Sequence, residues 1–172
     1  TVSASIDNSR LVTLTITPAE GYFVMKDNIT AVKTIDGSNA QTRTPGVSTP
    51  LDITGDDIVI GPTAKTYTFT MPDNAYDVEV TVNFQAIIDI TNATITLSET
   101  SYTYDGTEKK PSGSSVKLSG GELNATYYTI DYSNNTNAGT ATVTVTGSGI
   151  YKNAATATFT IEKAPATITF ET

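Results

Sequence analysis

The chain predicts an all-β fold of two modules in tandem, and three observations carry that prediction. Apolar and polar residues alternate through most of the apolar runs, and Thr fills much of the polar fraction. A ten-residue element also occurs twice, as IDITNATITL at Ile88 to Leu97 and as IEKAPATITF at Ile161 to Phe170. Period-two alternation is what a strand with one buried and one wet face requires, because successive side chains point to opposite sides of the pleat. An element that recurs at a fixed interval marks a modular array in which stacking units is itself the design.

The strands follow in order. Val2, Ala4 and Ile6 alternate in the first, and Val12, Leu14 and Ile16 alternate with Thr13, Thr15 and Thr17 in the second. Asp7-Asn8-Ser9 lies between them and predicts a hairpin, since Asx side chains close tight turns on their own backbone. Met25 to Asn28 is the one stretch that offers a helical turn, and no segment carries an apolar stripe at helical spacing. Asp36 to Pro50, with Gly37, Pro45, Gly46 and Pro50, predicts a long mobile loop. Tyr67, Phe69 and Met71 alternate with Thr66, Thr68 and Thr70, and Val78, Val80, Val82 and Phe84 alternate with Glu79, Thr81 and Asn83. Gly120-Gly121 predicts a hairpin between Val116 to Leu118 and the run from Tyr127 to Tyr132. Ala141, Val143 and Val145 then face away from Thr142, Thr144 and Thr146, and Ala155, Ala157, Phe159 and Ile161 oppose Thr156, Thr158 and Thr160.

Composition sets the outer limits. A chain of 172 residues suits two modules of about 85, each able to bury roughly 60 to 65% of its unfolded surface. With 38% apolar and 16% charged residues it is a folding composition, not a disordered one. The boundary is expected near Gln85 to Ile90, where no Pro- or Gly-rich linker intervenes, so the modules are expected to abut as a stiff segment. The domains expected are therefore 1–87, 88–163, and the start of a further repeat over 164–172.

The net charge is −8 and the pI about 4.3, which repels phosphate backbones; Lys109-Lys110 beside Glu108 is the one adjacent basic pair. The absence of Cys excludes disulfides, thiol catalysis and thiolate metal sites, and the absence of His removes the usual neutral-pH base. No apolar run approaches the ~18 to 20 residues that span a bilayer. The chain opens at Thr1 without an initiator Met and is expected to be a piece of a larger protein.

Tyr104-Asp105-Gly106 within SYTYDGTEKKPS, followed by DYSNNTNAGTATVTVTGSGIYKNAATATFTI at Asp131 to Ile161, resembles the YDG/MBG type of bacterial immunoglobulin-like surface repeat; Ile150 stands where that family commonly has Asn. PAEGYFV at Pro18 to Val24 and YTFTMPDNAYDVEVTVNF at Tyr67 to Phe84, with a strand-Pro-Asp-Asn-strand hairpin, are similar to divergent internalin B-type repeats, from which the insertions between Asp36 and Lys65 depart. The resemblance implies stalk and adhesive modules of secreted or anchored surface proteins. The residues themselves explain the YDG element without a ligand: Asp105-Gly106 forms a turn, and Tyr102 and Tyr104 alternate onto one face to cover a core.

Candidate sites are few. Asp52, Asp56 and Asp57 around Gly55 offer oxygen ligands for a hard cation, but the DxDxDG loop pattern is absent and a solvated turn is favoured. Lys117 or Lys152 with Asn124, Asn135 or Asn153 is the set from which a Lys–Asn amide cross-link would be made, a bond that releases ammonia. Tyr127, Tyr128, Tyr132 and Tyr151 offer a platform for stacking sugars. Asn28, Asn92, Asn124 and Asn134 begin sequons of the kind that arise by chance in a Thr-rich chain.

The architecture expected is two tandem all-β modules, the second an immunoglobulin-like antiparallel sandwich and the first a sandwich or a β-grasp-like sheet. The function expected is a non-enzymatic, extracellular cell-surface stalk or adhesion module, with a carbohydrate-binding module as the alternative. No catalytic residue, cofactor or metal is expected. The partners expected are host or matrix proteins, glycans, and neighbouring repeats of the same chain, with no nucleic acid and no membrane-spanning segment.

Overall fold

Alternation builds the first unit. The computed structural model describes residues 1–35, 49–72, 76–111, 115–166 and 168–169, with the backbone alone for 33–35, 49, 76 and 77. It divides into two compact units, Thr1–Ile87 and Ile88–Thr172. In the first, β1 (Val2–Ile6), β2 (Leu11–Ile16), β3 (Tyr22–Met25), β4 (Ile29–Ile35), β5 (Thr49–Pro50), β6 (Thr54–Gly55), β7 (Ile58–Ile60), β8 (Lys65–Thr70), β9 (Tyr76–Val82) and β10 (Gln85–Ala86) follow one another. They form sheets of order β1-β2-β8-β6, β10-β3-β7 and β5-β4-β9.

Register then decides the core. Val12, Leu14 and Ile16 of β2 lie across from Phe69, Tyr67 and Lys65 of β8, so their inner faces coincide. Against them pack Ile29 and Ala31 of β4, with Val78, Val80 and Val82 of β9. Two antiparallel sheets sharing one apolar layer make a sandwich, each buried large side chain contributing about 1.5–3 kcal/mol of transfer free energy. A β-grasp needs a helix across one sheet, and the described residues hold no α-helix. The expected helical turn is a 3-10 turn over Lys26–Asn28.

The second unit contains β11 (Ile88–Asp89), β12 (Thr94–Thr96), β13 (Ser101–Thr103), β14 (Ser115–Leu118), β15 (Gly121–Glu122), β16 (Tyr128–Ser133), β17 (Gly139–Gly147), β18 (Tyr151–Lys152) and β19 (Ala154–Glu162). One sheet has the order β13-β19-β17-β16, another β12-β14-β15, and β11 pairs with β18. On the inner face of the first, large residues meet small ones: Ala141 opposite Phe159, Val143 opposite Ala157, Val145 opposite Ala155. Leu97, just past β12, packs onto that layer from the other side, and Val116 of β14 is fully buried. On the outer face Thr140, Thr142 and Thr144 lie across from Thr160, Thr158 and Thr156.

Several expectations are corrected. The Gly120-Gly121 turn, with Ser119 at φ 50° and Gly120 at φ 83°, joins β14 to the short β15, whereas the Tyr run forms β16 in the other sheet. β8 and β9 lie in different sheets, so the Pro-Asp-Asn segment joins two sheets and is no hairpin; Asp73 and Asn74 themselves fall outside the described residues. The antiparallel sandwich contains two parallel pairings, β11 with β18 and β13 with β19. Phe84 lies past the end of β9 and is exposed. The loop expected over Asp36 to Pro50 lies outside the described residues up to residue 48.

Candidate functional site

The YDG segment is a side-chain knot. Asp105 Oδ1 accepts hydrogen bonds from the Thr107 amide and hydroxyl at 2.9 and 2.7 Å, while Lys109 Nζ reaches Asp105 Oδ2. Gly106 sits at φ 83°, a left-handed conformation that a side chain disfavours. The Lys109 amide donates to Asn135 O at 2.7 Å and Asn135 Nδ2 donates back to Lys109 O at 3.0 Å, which ties the loop to the turn after β16. The hydrogen bonds from Lys109 and Thr107 hold the Asp105 carboxyl far below the usual carboxylate range. Tyr102 packs edge-on to Phe159 at 5.5 Å, as a core-covering ring would. Tyr104 does not join it: β13 ends at Thr103, and the Tyr104 ring is exposed.

A second knot holds β11. Asp89 accepts from Thr91 N and Thr91 Oγ1 through one oxygen and from Asn153 Nδ2 at 2.8 Å through the other, and the Thr91 hydrogen bonds lead in lowering its pKa. Asp7 does the same work at the first hairpin, accepting from the Ser9 and Leu11 amides at 2.9 Å each.

The sequence-derived candidates disperse. Asp56 pairs with Lys65 at 2.8 Å, and among the described residues no three acidic side chains converge as metal ligands do. Lys117 extends into solvent beside Glu122, at 3.8 Å, and Lys152 is exposed. Asn124 caps the 3-10 turn Ala125–Tyr127, Asn135 is committed to Lys109, and Asn153 to Asp89. The four tyrosines share no exposed face: Tyr127 and Tyr151 stack edge-on at 6.3 Å, Tyr151 is buried, and Tyr132 packs against the core. Tyr132 Oη donates to Pro111 O at 3.3 Å, and Tyr151 Oη accepts from the Asn124 amide at 3.1 Å.

Sequence reasoning singled out no cavity, and the described residues form one beside β16. Its volume is about 430 Å3, and Glu108, Lys110, Ile130, Asp131, Tyr132 and Asn135 line it. Lys110 pairs with Glu108 at 2.7 Å, which raises the Lys110 pKa. Asn135 is 8% exposed. The signal was present in two pieces, the EKK run and the Asp131-to-Asn135 turn, but their meeting depends on the tertiary fold. No protein-family model matches the chain, and no curated protein or solved structure matches it.

Proposed function

We propose that the chain is a non-enzymatic, load-bearing stalk and adhesion segment of a larger bacterial cell-surface protein, working outside the cell. The observation that carries this reading is the parallel pairing of β13 with β19, Ser101 opposite Thr160 and Thr103 opposite Glu162. Tension applied at the two ends of the second unit drags β13 backward and β19 forward, so their hydrogen bonds are loaded together along the strands. An antiparallel edge pair pulled from adjacent ends opens one bond at a time instead. The Thr160 amide to Thr100 O at 2.9 Å and the Tyr104 amide to Glu162 O at 2.8 Å extend the pairing, and Ser101 Oγ donates to Glu162 Oε1 at 3.1 Å. β11 repeats the arrangement on β18, with Ile88 N to Ile150 O at 2.9 Å and the Asp89–Asn153 bond beside it.

The outward Thr ladders support the same reading, since they keep exposed sheet faces hydrated without concentrating charge. The resemblance of the YDG segment to bacterial surface repeats supports it independently, as does the recurrence of the Ile88 to Leu97 element, by which units add in series. Adhesion to host or matrix proteins fits an extracellular setting; glycans are the alternative ligand.

Single-molecule pulling on the chain tests the load-bearing reading. The second unit is expected to rupture in one high-force event, and Tyr102→Pro, which removes a ladder amide from β13, is expected to lower that force markedly. A rupture force that Tyr102→Pro leaves unchanged in a folded variant would sink the proposal.

A further inference from the structure

The free edge of β1 is unguarded. Natural sheets protect such edges with charge, Pro or very short strands. Among the described strands the other free edges comply: β9 carries Glu79, β16 carries Asp131, and the rest are strands of two or three residues. β1 reads VSASI, with neither charge nor Pro, and all five of its residues are exposed. Its backbone has a defined polarity. Thr1 and Thr17 exchange both of their backbone hydrogen bonds, and the Asp7 amide donates to Leu11 O at 3.1 Å. Bonded and non-bonded pairs alternate along an antiparallel ladder, so Ser3 and Ser5 spend their N–H and C=O groups on Thr15 and Thr13 of β2. Val2, Ala4 and Ile6 therefore direct theirs out of the sheet. The same residues lie across from Ile16, Leu14 and Val12, which puts their side chains on the apolar inner face. Beside them runs a groove of about 280 Å3 whose lining includes Ala4, Ile6, Val12, Phe69 and Val80.

We propose that β1 recognises a second copy of this chain, the two β1 strands pairing antiparallel about a twofold axis through Ala4. VSASI reads nearly the same in both directions, so Val2 of one copy meets Ile6 of the other, Ser3 meets Ser5, and Ala4 meets Ala4. That self-complementarity is what a twofold interface requires. In this register every backbone group that β1 directs outward gains a partner, because the Val2–Ile6 and Ala4–Ala4 pairs are the bonded ones. The side chains agree with the backbone. Val2 and Ile6, 43% and 60% exposed in the single chain, come side by side, and both inner faces lie on the same side of the joined sheet, with the two grooves opening towards each other. A slip of one residue would set outward-directed groups against the inward-directed Ser3 and Ser5 and lose these bonds. The contact itself holds no charge, whereas the chain carries −8, so salt is expected to strengthen the association. This inference goes beyond the load-bearing reading and stands without it, because β1 lies in the first unit and the pairing of β13 with β19 in the second.

Sedimentation equilibrium and amide hydrogen exchange of the full chain test it over a concentration series. One strand pair buries less than a standard interface, so a monomer–dimer equilibrium is expected in the range of about 0.1 to 1 mM. The amides of Val2, Ala4 and Ile6 are expected to exchange freely in dilute samples and to become protected as the dimer forms, while those of Ser3 and Ser5 are protected throughout. Ala4→Pro removes only an outward-directed N–H, which an edge strand tolerates, and is expected to abolish the dimer in a folded chain. Ile6→Lys, which sets a charge beside the other copy's Val2, is expected to do the same by a different route and serves if the proline variant does not fold. A chain that stays monomeric up to about 3 mM, assembly that runs on past the dimer, or a dimer that a folded variant leaves intact would overturn the proposal. So would protection of Val2, Ala4 and Ile6 in dilute samples, which would mean that another segment of the same chain covers the edge. Because pulling reads β13 and self-association reads β1, either proposal can fail alone.

Discussion

Asp at the head of a turn is the recurring device of this chain. Asp7, Asp89 and Asp105 each fold a carboxylate back onto an amide two residues on, and Asp89 and Asp105 accept further bonds that lower their pKa values. A carboxylate lowered in the folded state contributes stability that is present above its unfolded value, about 3.9, and is lost as pH falls through the lower folded value. From these two carboxylates the second unit is expected to hold a constant melting temperature between about pH 5 and pH 8 and to lose stability progressively below about pH 4. Asp105→Asn keeps the acceptor for the Thr107 amide and removes the attraction to Lys109; thermal melts at neutral and acid pH are expected to show a lower melting temperature at neutral pH and a smaller fall on acidification. Tyr67 is the opposite case. Its hydroxyl is buried without a hydrogen-bond partner among the described residues, and burial, then the charges of Asp56 and Asp57, raises its pKa. Removing an unsatisfied buried group relieves a desolvation cost, so Tyr67→Phe is expected to leave the first unit unchanged or stabilise it by up to about 1 kcal/mol in chemical denaturation.

At the scale of the element, what a strand lies beside matters as much as its pattern. β1 alternates as well as β2 does, yet all five of its residues are exposed and Ile6 is 60% exposed, because β1 is the edge of its sheet. Alternation names the inner face; only a facing sheet buries it. Gly55 of β6 shows the tolerance on the other side: a Cβ there would stand 2.2 Å from Tyr67 Cδ1, since the two residues are directly paired across β6 and β8. Gly55→Ala must displace a fully buried ring and is expected to cost about 1–3 kcal/mol, measured by urea denaturation. In the second unit register sets small Ala155 and Ala157 across from Val145 and Val143, a choice of size that alternation alone does not make.

For the whole molecule, each unit owns its core: the Leu14–Tyr67 layer belongs to the first and the Val143–Phe159 layer to the second. A cavity opened in one core is a local loss. Leu14→Ala is expected to destabilise the first unit by about 2–5 kcal/mol and to leave the transition of the second in place, which calorimetry with site-specific hydrogen exchange resolves. The recurring Ile88 to Leu97 element behaves differently in its two positions. In the first copy Thr94–Thr96 forms β12 and Ile90 is fully buried, whereas in the second Ile161 ends β19, Lys163 stands in place of Ile90, and Ile168 is 78% exposed. The same ATIT sequence forms β12 where β14 lies beside it, whereas in the second copy the described residues Ala166, Ile168 and Thr169 belong to no strand.

By itself the sequence determined the all-β class, the faces of β2, β8, β9, β17 and β19, the turn at Asp7, and the exclusion of thiol chemistry, because all of these follow from local rules: period two, Asx turn chemistry and composition. It missed β3, where Phe23 and Val24 are adjacent and both buried, since a strand closed in on two sides loses its alternation. The tertiary structure alone decided which strands share a sheet, the parallel placement of β13 on β19, and the meeting of the Glu108–Lys110 loop with Asp131 and Asn135. Those depend on which chain segments come to lie side by side after crossing from one sheet to another, and nothing in the spacing along a single strand encodes that choice.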